Sequence, residues 1–296
     1  MTLLRTIKFI IDHPLNRGHK VKSMIRFAKW QIGSRLLSFP VVYEWVNGTK
    51  MLVKNGETGL TGNVYTGLHE FSDMGYMLHF LRAGDLFADV GANVGSYTIL
   101  ASGVAKARSV SFEPVPSTFS RFVDNIRINH IDEMVVAVNS AVGDQIGSIS
   151  FTTDRDTVNH ATVAGEKCAK SALVNVTTLD EYFKVECPSL IKIDVEGYEF
   201  QVLKGAQETL KNPKLKSIIV EINDSCRLYG YSESETITMM VDNGFRAHTY
   251  DPLSRTLTEI GGRNLMSGNT IYIRDKITVL ERVTTTGKIS VNGNEF

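Results

Sequence analysis

Short apolar runs alternate with amphipathic segments along most of the chain. Apolar runs bounded by turn residues predict strands, and amphipathic segments with helical spacing predict helices. The predicted helices cover residues 96–103, 117–129 and 232–243, and a capping box at Thr178 and Glu181 opens another. The predicted strands cover residues 85–90, 109–113, 134–140, 190–194, 217–222, 245–250 and 269–274, with a β-rich excursion at 147–176. This order predicts an α/β fold with a mostly parallel sheet flanked by helices.

The first strand runs into a glycine-punctuated turn, Asp89-Val-Gly91-Ala-Asn93-Val-Gly95. Glycine permits close approach of backbone to a ligand, and the helix that follows begins with free N–H groups. The pattern predicts a nucleotide-cofactor cradle made by Gly91, Asn93 and Gly95. A dinucleotide fingerprint needs G-x-G-x-x-G, which is absent here. Because Asp89 suits a ligand that carries an ammonium and a sulfonium, the cradle favours S-adenosylmethionine (SAM) over NAD.

Two further strand ends contribute to the predicted cofactor site. Glu113 terminates the second strand, where a carboxylate can accept hydrogen bonds from both ribose hydroxyls. The third strand is followed by a loop at 139–143, and its small residues Ser140 and Ala141 can hold the adenine through backbone groups. The expected cofactor contacts therefore converge on the carboxyl edge of the sheet, where open α/β sheets bind ligands.

The fourth strand, Ile191-Lys-Ile-Asp194, is followed at once by Glu196 and Glu199. Asp194 at the carboxyl edge can orient an acceptor hydroxyl, accept its proton or bind a cation. Glu199 is better explained by the helix dipole, which stabilises acids in a first turn. The spacing of these acids is not decisive for a metal, so no metal ligand is assigned, and a divalent cation stays an open alternative.

Together these residues resemble the FkbM-type methyltransferases over roughly residues 60–275. The resemblance rests on the cradle, on Phe112-Glu113-Pro114, and above all on Ile193-Asp194-Val-Glu196-Gly197-Tyr198-Glu199 with Leu203, Lys204 and Gly205 after it. It implies a Rossmann-like class I SAM-dependent methyltransferase with a seven-stranded sheet, completed by antiparallel late strands. It also implies O-methylation of a saccharide, a glycolipid or another natural-product acceptor.

The segment 62–74, which precedes the cradle, looks like the corresponding segment of family members with similar N-terminal extensions. Glu70 is a candidate gate over the SAM pocket, and His69 is a candidate base or acceptor contact, since histidine has a suitable pKa. The alternative is a cap on the helix that runs through His79. The expected reaction is in-line methyl transfer to a hydroxyl, with Asp194, His69 and Glu196, in that order, as candidate proton acceptors.

Two other classes remain as alternatives: a catalytically silent binding module with the same fold, and an NAD-dependent oxidoreductase. A nucleic-acid methyltransferase is disfavoured, because the formal net charge is zero and no Asn/Asp-Pro-Pro-Tyr/Phe stretch occurs. Cys168, Cys187 and Cys226 are widely spaced and are expected to be reduced thiols.

Charge is uneven along the chain. Residues 1–40 hold eight Lys or Arg and one acid, Asp12, so this segment is +7 and the rest is −7. It is expected to be a helical cap, with contact to an anionic membrane surface or an acidic substrate as the alternative. The expected organisation is a basic N-terminal helical extension at 1–60, a methyltransferase domain at 61–280 and a C-terminal tail at 281–296. No apolar run is long enough to span a membrane and no signal-peptide core is found, so a cytoplasmic location, peripheral at the inner membrane face at most, is expected.

Overall fold

The computed structural model describes residues 3–37, 39–54, 56–152, 159–162 and 170–296. Its helices are α1 (Leu3–Asp12), α2 (Lys20–Leu36), α3 (Thr58–Thr66), α4 (Phe71–Phe80), α5 (Ser96–Thr98, continued as a π-helix over Ile99–Val104), α6 (Pro116–Ile128), α7 (Leu179–Tyr182), α8 (Glu199–Lys204), α9 (Gln207–Lys211), α10 (Glu233–Asp242) and α11 (Lys276–Thr285). Short 3₁₀ turns cover Pro14–Asn16, Val46–Gly48 and Asp224–Tyr229.

The strands are β1 (Val41–Glu44), β2 (Lys50–Val53), β3 (Leu86–Val90), β4 (Arg108–Phe112), β5 (Val135–Val138), β6 (Ala141–Val142), β7 (Gly147–Thr152), β8 (Ser171–Thr177), β9 (Leu190–Ile193), β10 (Ser217–Glu221), β11 (Arg246–Asp251), β12 (Thr256–Glu259), β13 (Asn269–Ile273), β14 (Ser290–Val291) and β15 (Asn294–Glu295).

An eight-stranded sheet in the order β12-β11-β13-β10-β9-β3-β4-β5 forms the centre of the molecule. Strands β10, β9, β3, β4 and β5 are parallel, and β13, β11 and β12 add antiparallel pairs at one edge. The predicted Rossmann-like methyltransferase architecture is confirmed, with one strand more than expected. The extra strand is β12, which returns along β11 because Asp251 accepts hydrogen bonds from Leu253 N (3.0 Å) and Ser254 Oγ (2.7 Å) and so closes the turn.

Both faces of the sheet are buried under helices, and the alternation of side chains assigns each residue to one face. On β3, Phe87 belongs to the core beneath α4 and α11, while Ala88 and Val90 belong to the core beneath α8 and α10. Asp89 therefore lies on the same face as Phe87, the one that α4 covers. This assignment decides which polar residues can meet at the end of the sheet.

The predicted β excursion forms a separate three-stranded sheet in the order β6-β8-β7. Strand β7 pairs with β8 in antiparallel register, and Phe151 forms a bridge with Ala161. Residues 153–158 and 163–169 of this excursion lie outside the described residues. The small sheet lies against the central one close to the third strand end, since β6 follows β5 almost directly.

The N-terminal extension packs into the main core as a cap. Ile10 and Phe27 are buried in the same hydrophobic cluster as sheet residues such as Phe87. The predicted boundaries at 60 and 280 fall inside α3 and α11, so neither separates two structural units. The predicted C-terminal tail is also packed, because the Phe296 ring contacts Phe71 at 5.2 Å and His79 at 5.1 Å.

Thiols and helix lengths bear on two further expectations. Cys187 and Cys226 are buried free thiols, whereas Cys168 lies outside the described residues. None of the described helices combines the length and the hydrophobicity that a bilayer span requires.

Candidate active site

The cradle turn connects β3 to α5 and crosses the loop that follows β9. Gly91 adopts φ +84°, and a Cβ atom there would lie 1.9 Å from the carbonyl oxygen of Asp194. Gly95 adopts φ +92°, and a Cβ atom there would lie 2.5 Å from the Phe122 ring. Gly91 and Asn93 line the cavity, whereas Gly95 is required for the packing of α6 and does not line it. The role of Gly95 as a cofactor contact therefore stays a prediction, since Gly95 has no surface in the cavity.

Glu113 projects from the end of β4 and is held rigidly. Its two carboxylate oxygens accept hydrogen bonds from the backbone N–H groups of Asn93 (3.0 Å) and Val115 (2.9 Å). Burial raises the pKa of Glu113 to about 7, although these two hydrogen bonds oppose the rise. A carboxylate oxygen has two lone pairs, so each oxygen can still accept a bond from a ligand hydroxyl.

Beside Glu113, a pocket reaches between the sheet edge and the three-stranded sheet. Ser140 and Ala141 line it, together with four apolar side chains that no local sequence pattern singles out: Phe112, Val142, Ile149 and Phe151. The Ser140 hydroxyl donates toward the backbone oxygens of Ala141 (2.8 Å) and Asn175 (2.9 Å), which fixes the loop. The pocket combines an apolar interior with a few fixed polar groups, as sites for planar heterocycles do.

A second, more polar cavity of about 300 Å³ continues from the first. Both are lined by Gly91, Asn93, Asp194 and Glu196, so they form one continuous site. Asp89 lies at the wall of the second cavity and accepts a hydrogen bond from Thr98 Oγ1 at 2.7 Å. Burial raises the pKa of Asp89 to about 6.

Lys192, which no local sequence pattern singles out, compensates part of this negative charge. It pairs with Asp89 across β3 and β9, so it lies on the same face of the sheet. Its ammonium is 2.7 Å from Asp194 Oδ2 and 4.7 Å from the centre of the Tyr97 ring. Burial by itself would lower the pKa of Lys192, but the carboxylates of Asp194 and Glu70 outweigh it and raise the pKa.

Glu70, the candidate gate, is fixed on the cavity wall. Tyr97 donates its hydroxyl to Glu70 Oε2 (2.7 Å), and the Asn269 amide donates to Glu70 Oε1 (2.8 Å). The same amide reaches Asp73 Oδ2 at 3.3 Å. Burial, with Glu70 nearby, raises the pKa of Asp73 to about 7. A gating motion of Glu70 would have to break both of its hydrogen bonds.

His69 also lines the second cavity, and helix α1 packs against it. The His69 ring contacts the Phe9 ring at 5.2 Å, and its backbone N–H donates to Asn63 Oδ1 at 2.7 Å. Burial lowers the pKa of His69, and the charge of Glu70 partly offsets this effect. Its Nδ1 atom is buried beside Gly62, without a hydrogen-bond partner among the described residues. Only the other ring nitrogen is therefore a candidate base.

Three carboxylates meet at the ends of β9 and β10: Asp194, Glu196 and Glu221. Each offers an oxygen within 4.8 Å of the other two. Burial, then Asp194 and Glu199, raise the pKa of Glu196 to about 7, and burial, Asp194 and Glu196 raise the pKa of Glu221 to about 8. Such oxygen donors suit a divalent cation. Glu221 adds a third carboxylate that spacing in the sequence could not reveal, while Lys192 already balances Asp194.

Glu199 has a structural role, as the sequence favoured. It is buried, and its Oε1 accepts the N–H groups of Val195 and Gly197, both at 3.1 Å. These bonds shape the loop in which Glu196 adopts φ 54° and Gly197 φ 101°. The loop then presents Asp194 and Glu196 to the cavity.

Comparison with known proteins identifies the family of this chain. The profile of the family described as "Methyltransferase FkbM domain" matches residues 89–247. The "Hexuronic acid methyltransferase AglP" of Haloferax volcanii is 31% identical over 148 residues, which are 50% of this chain and 59% of that protein. "Methyltransferase 1" of Beauveria bassiana is 24% identical over 161 residues, covering 46% of this chain and 64% of that protein. The alignments thus span about six tenths of the length of these curated relatives.

Among solved structures, a methyltransferase FkbM from Methylobacillus flagellatus aligns with a TM-score of 0.44 at 16% identity. The alignment covers 64% of this chain and 43% of that one.

Proposed function

Because the chain belongs to the FkbM methyltransferase family, we propose that it transfers a methyl group from SAM to a hydroxyl oxygen of a saccharide, glycolipid or other natural-product acceptor. The observation that carries the proposal is the continuous cavity that runs from Glu113 past Gly91 to Asp194 and Glu196. It joins a pocket suited to an adenosine with a polar chamber at the carboxyl edge of the sheet.

The donor set fits SAM. Glu113 would hold the ribose hydroxyls through the lone pairs left over from its two backbone bonds. Ser140 and Ala141 would border the adenine, with Ile149 and Phe151 as apolar contacts. The acids of the second cavity suit the ammonium and the sulfonium, since opposite charges attract strongly at buried sites.

SAM supplies a methyl group that its sulfonium has already activated. The chain's own contribution is then to hold the acceptor oxygen in line, to exclude water and to remove one proton. Asp194 is fixed by its ion pair with Lys192, which suits it to orient the acceptor hydroxyl. The neighbouring acids and the walls of the chamber limit where that hydroxyl can lie.

Glu196 is the proton acceptor in this proposal. Its pKa of about 7 in the ligand-free protein lies near the operating pH, where a general base is most effective. The order drawn from the sequence placed Asp194 first, but its Oδ2 atom lies 2.7 Å from the Lys192 ammonium, which holds Asp194 in place as an orienting group. His69 ranks last, because its Nδ1 is buried beside Gly62.

The acceptor class follows from the charge of the chamber. Six acids line it, namely Glu57, Glu70, Asp89, Asp194, Glu196 and Glu221, against the two cations Lys192 and Arg121. This excess favours a neutral sugar hydroxyl, or an anionic sugar that arrives with a divalent cation. The relative from Haloferax volcanii makes a hexuronic acid the first anionic acceptor to compare.

The test is methyl transfer from isotopically labelled SAM to neutral hexoses, hexuronic acids and lipid-linked saccharides, with and without a divalent cation. We expect labelled product and S-adenosylhomocysteine with at least one sugar class and, at saturating SAM, a rate that rises with pH through about 7 as Glu196 ionises. Glu196→Gln should lower kcat by about 10²–10⁴-fold, lose that pH dependence and keep SAM affinity.

Glu208→Gln, at an exposed position outside the cavity lining, is the matched control. It should change neither kcat, nor the pH dependence of kcat, nor SAM affinity. Unchanged turnover in Glu196→Gln would remove Glu196 from the mechanism. Binding of SAM without transfer to any hydroxyl acceptor in the panel would favour the silent binding module instead.

A further inference from the structure

Helix α2 has a buried inner stripe and an exposed apolar outer stripe on opposite sides. The inner stripe, Ser23, Phe27, Trp30 and Ser34, is buried against the protein. The outer stripe consists of Val21, Ile25, Ala28, Ile32 and Leu36, all of them exposed, with Val21 74% and Ile32 64% accessible. Residues spaced three and four apart share one side of a helix. A helix that only capped the domain would need the inner stripe alone.

The exposed apolar side chains are concentrated in this part of the molecule. Nine of the 21 large apolar residues that are exposed in the described structure lie within residues 1–42. They are Leu3, Leu4, Val21, Ile25, Ile32, Leu36, Leu37, Phe39 and Val42. Such a concentration of exposed apolar residues in one part of the molecule points to an interaction site.

Basic residues flank the outer stripe, and no acid occurs on α2. Lys20, Lys22, Lys29 and Arg35 are exposed. Arg26 has a different task, because its guanidinium binds Asn16 Oδ1 (2.9 Å) and the Tyr65 carbonyl and so ties α2 to α3. The charge of the segment therefore remains available to a partner even after the structural arginine is set aside.

A groove of about 420 Å³ runs beside the stripe, between α2 and strand β1. Its walls include Ile25, Trp30, Leu37, Val41 and Val64, and Lys22 and Lys29 lie at its rim. Ser34 also lines it, and its hydroxyl is buried without a hydrogen-bond partner among the described residues. An apolar groove with a basic rim is complementary to a lipid that has an acyl chain and a phosphate headgroup.

We propose that the outer face of α2 and the adjoining groove dock on an anionic lipid bilayer. In this arrangement the lysines contact headgroup phosphates, and Val21, Ile25 and Ile32 enter the boundary between headgroups and acyl chains. Protein interfaces are depleted of lysine at their centres, whereas lysine stems can extend along apolar surface and keep the ammonium at the phosphates. The composition of the surface thus favours a lipid over a protein partner.

Docking here would bring the active site to the membrane. Helix α3 presents Gly59, Leu60 and Asn63 to the catalytic cavity and Val64 to the groove, so the two sites share one helix. A lipid-linked saccharide is then the acceptor that docking would favour. This consequence rests on the proposed function, whereas lipid binding itself does not require methyl transfer.

The test is sedimentation of the full chain with vesicles of phosphatidylcholine alone and of phosphatidylcholine mixed equally with phosphatidylglycerol, without SAM or acceptor. We expect binding to the anionic vesicles only. Replacing Lys20, Lys22 and Lys29 together by glutamine should lower the partition coefficient roughly 100-fold, since each basic residue near the surface contributes about fivefold. Val21→Ser with Ile25→Ser should also weaken binding, and binding by wild type should decrease with salt.

The matched control replaces three exposed lysines of the opposite face of the sheet by glutamine, namely Lys184, Lys211 and Lys214, and should leave binding unchanged. Far-ultraviolet circular dichroism and SAM affinity, measured on every variant, separate a folding defect from a lost surface. No binding to anionic vesicles, or an equal loss in the control, overturns the proposal. The proposal is also overturned if sedimentation velocity shows a dimer that the α2 substitutions convert to monomer, because the surface would then be covered by a second copy.

Discussion

Glu113→Gln changes one atom type in a carboxylate whose two oxygens both accept backbone N–H groups. Glutamine offers one acceptor oxygen and one NH₂ group. The amide can therefore accept from Asn93 N or from Val115 N, and its NH₂ must face the other N–H group. The substitution is isosteric, so shape is preserved while one buried donor loses its partner.

Two separate costs follow. An orphaned buried N–H costs about 1–3 kcal/mol of stability, and it does so with or without cofactor. At about 2–4 °C per kcal/mol, the melting temperature should fall by roughly 2–12 °C. The binding free energy of SAM should also become weaker, because a hydrogen bond to a charged acceptor is worth about 1.5–3 kcal/mol. The Kd for SAM should therefore rise by about 10–150-fold.

The pH dependence of SAM binding gives a third signature. The pKa of Glu113 is about 7 in the ligand-free protein, so its proton must leave before the carboxylate can accept the ribose hydroxyls. Below pH 7 wild-type affinity should fall as pH falls, by at most about tenfold per pH unit for this group. In Glu113→Gln the part of that dependence that comes from Glu113 should vanish, so the slope below pH 7 should be smaller, while acids of the second cavity such as Asp89 and Glu196 keep their own contributions.

Titration calorimetry between pH 6 and 8 and thermal unfolding measure the two quantities on the same samples. Glu186→Gln is the matched control, since Glu186 is exposed and pairs with Arg108 away from the cavity; neither SAM affinity nor its pH dependence should change. A Glu113→Gln protein with a lower melting temperature but wild-type affinity for SAM would refute the assignment of Glu113 to the ribose hydroxyls. Glu113 would then be a purely structural carboxylate.

Two further substitutions test the cradle and its charge balance. Gly91→Ala should abolish SAM binding in calorimetry and lower the melting temperature, because the new Cβ would lie 1.9 Å from the Asp194 carbonyl oxygen. Gly84→Ala is its control: the backbone strain at φ +88° is similar, but nothing lies within 4 Å of the new Cβ, so SAM binding should be kept. Lys192→Met should cost about 3–5 kcal/mol in urea unfolding, because the buried Asp89 and the partly buried Asp194 would lose their cation. Lys288→Met breaks only an exposed pair worth about 0–1 kcal/mol. Equal effects within either pair would contradict the stated cause.

The fold could be predicted largely from local signals. Each central strand is an apolar run that ends at a turn or a carboxylate, and that pattern fixed β3, β4 and β9 to within a residue or two. The additional strand of the central sheet, β12 (Thr256–Glu259), could not be predicted, because its side chains are mostly exposed and show no apolar periodicity. The ends of the chain were read as an extension and a tail, since burial of single residues such as Phe296 depends on tertiary packing.

The candidate site was only partly predictable for a related reason. Asp89, Glu113 and Asp194 follow apolar strands directly and can be recognised one at a time. Lys192 and Glu221 become meaningful only when β3, β9 and β10 are known to be neighbours, because period-two alternation then places their side chains on one face. Strand order is a long-range property, and no local pattern encodes it.

The cavity between Glu113 and Asp194 is the proposed SAM site, and the proposed function depends on it. The most direct measurement is a calorimetric titration of the wild-type protein with SAM, with S-adenosylhomocysteine and with NAD under identical conditions. We expect saturable binding of both adenosyl ligands at one site per chain and no binding of NAD. Binding of NAD without SAM would contradict it, and so would a SAM affinity that Glu113→Gln and Gly91→Ala leave unchanged.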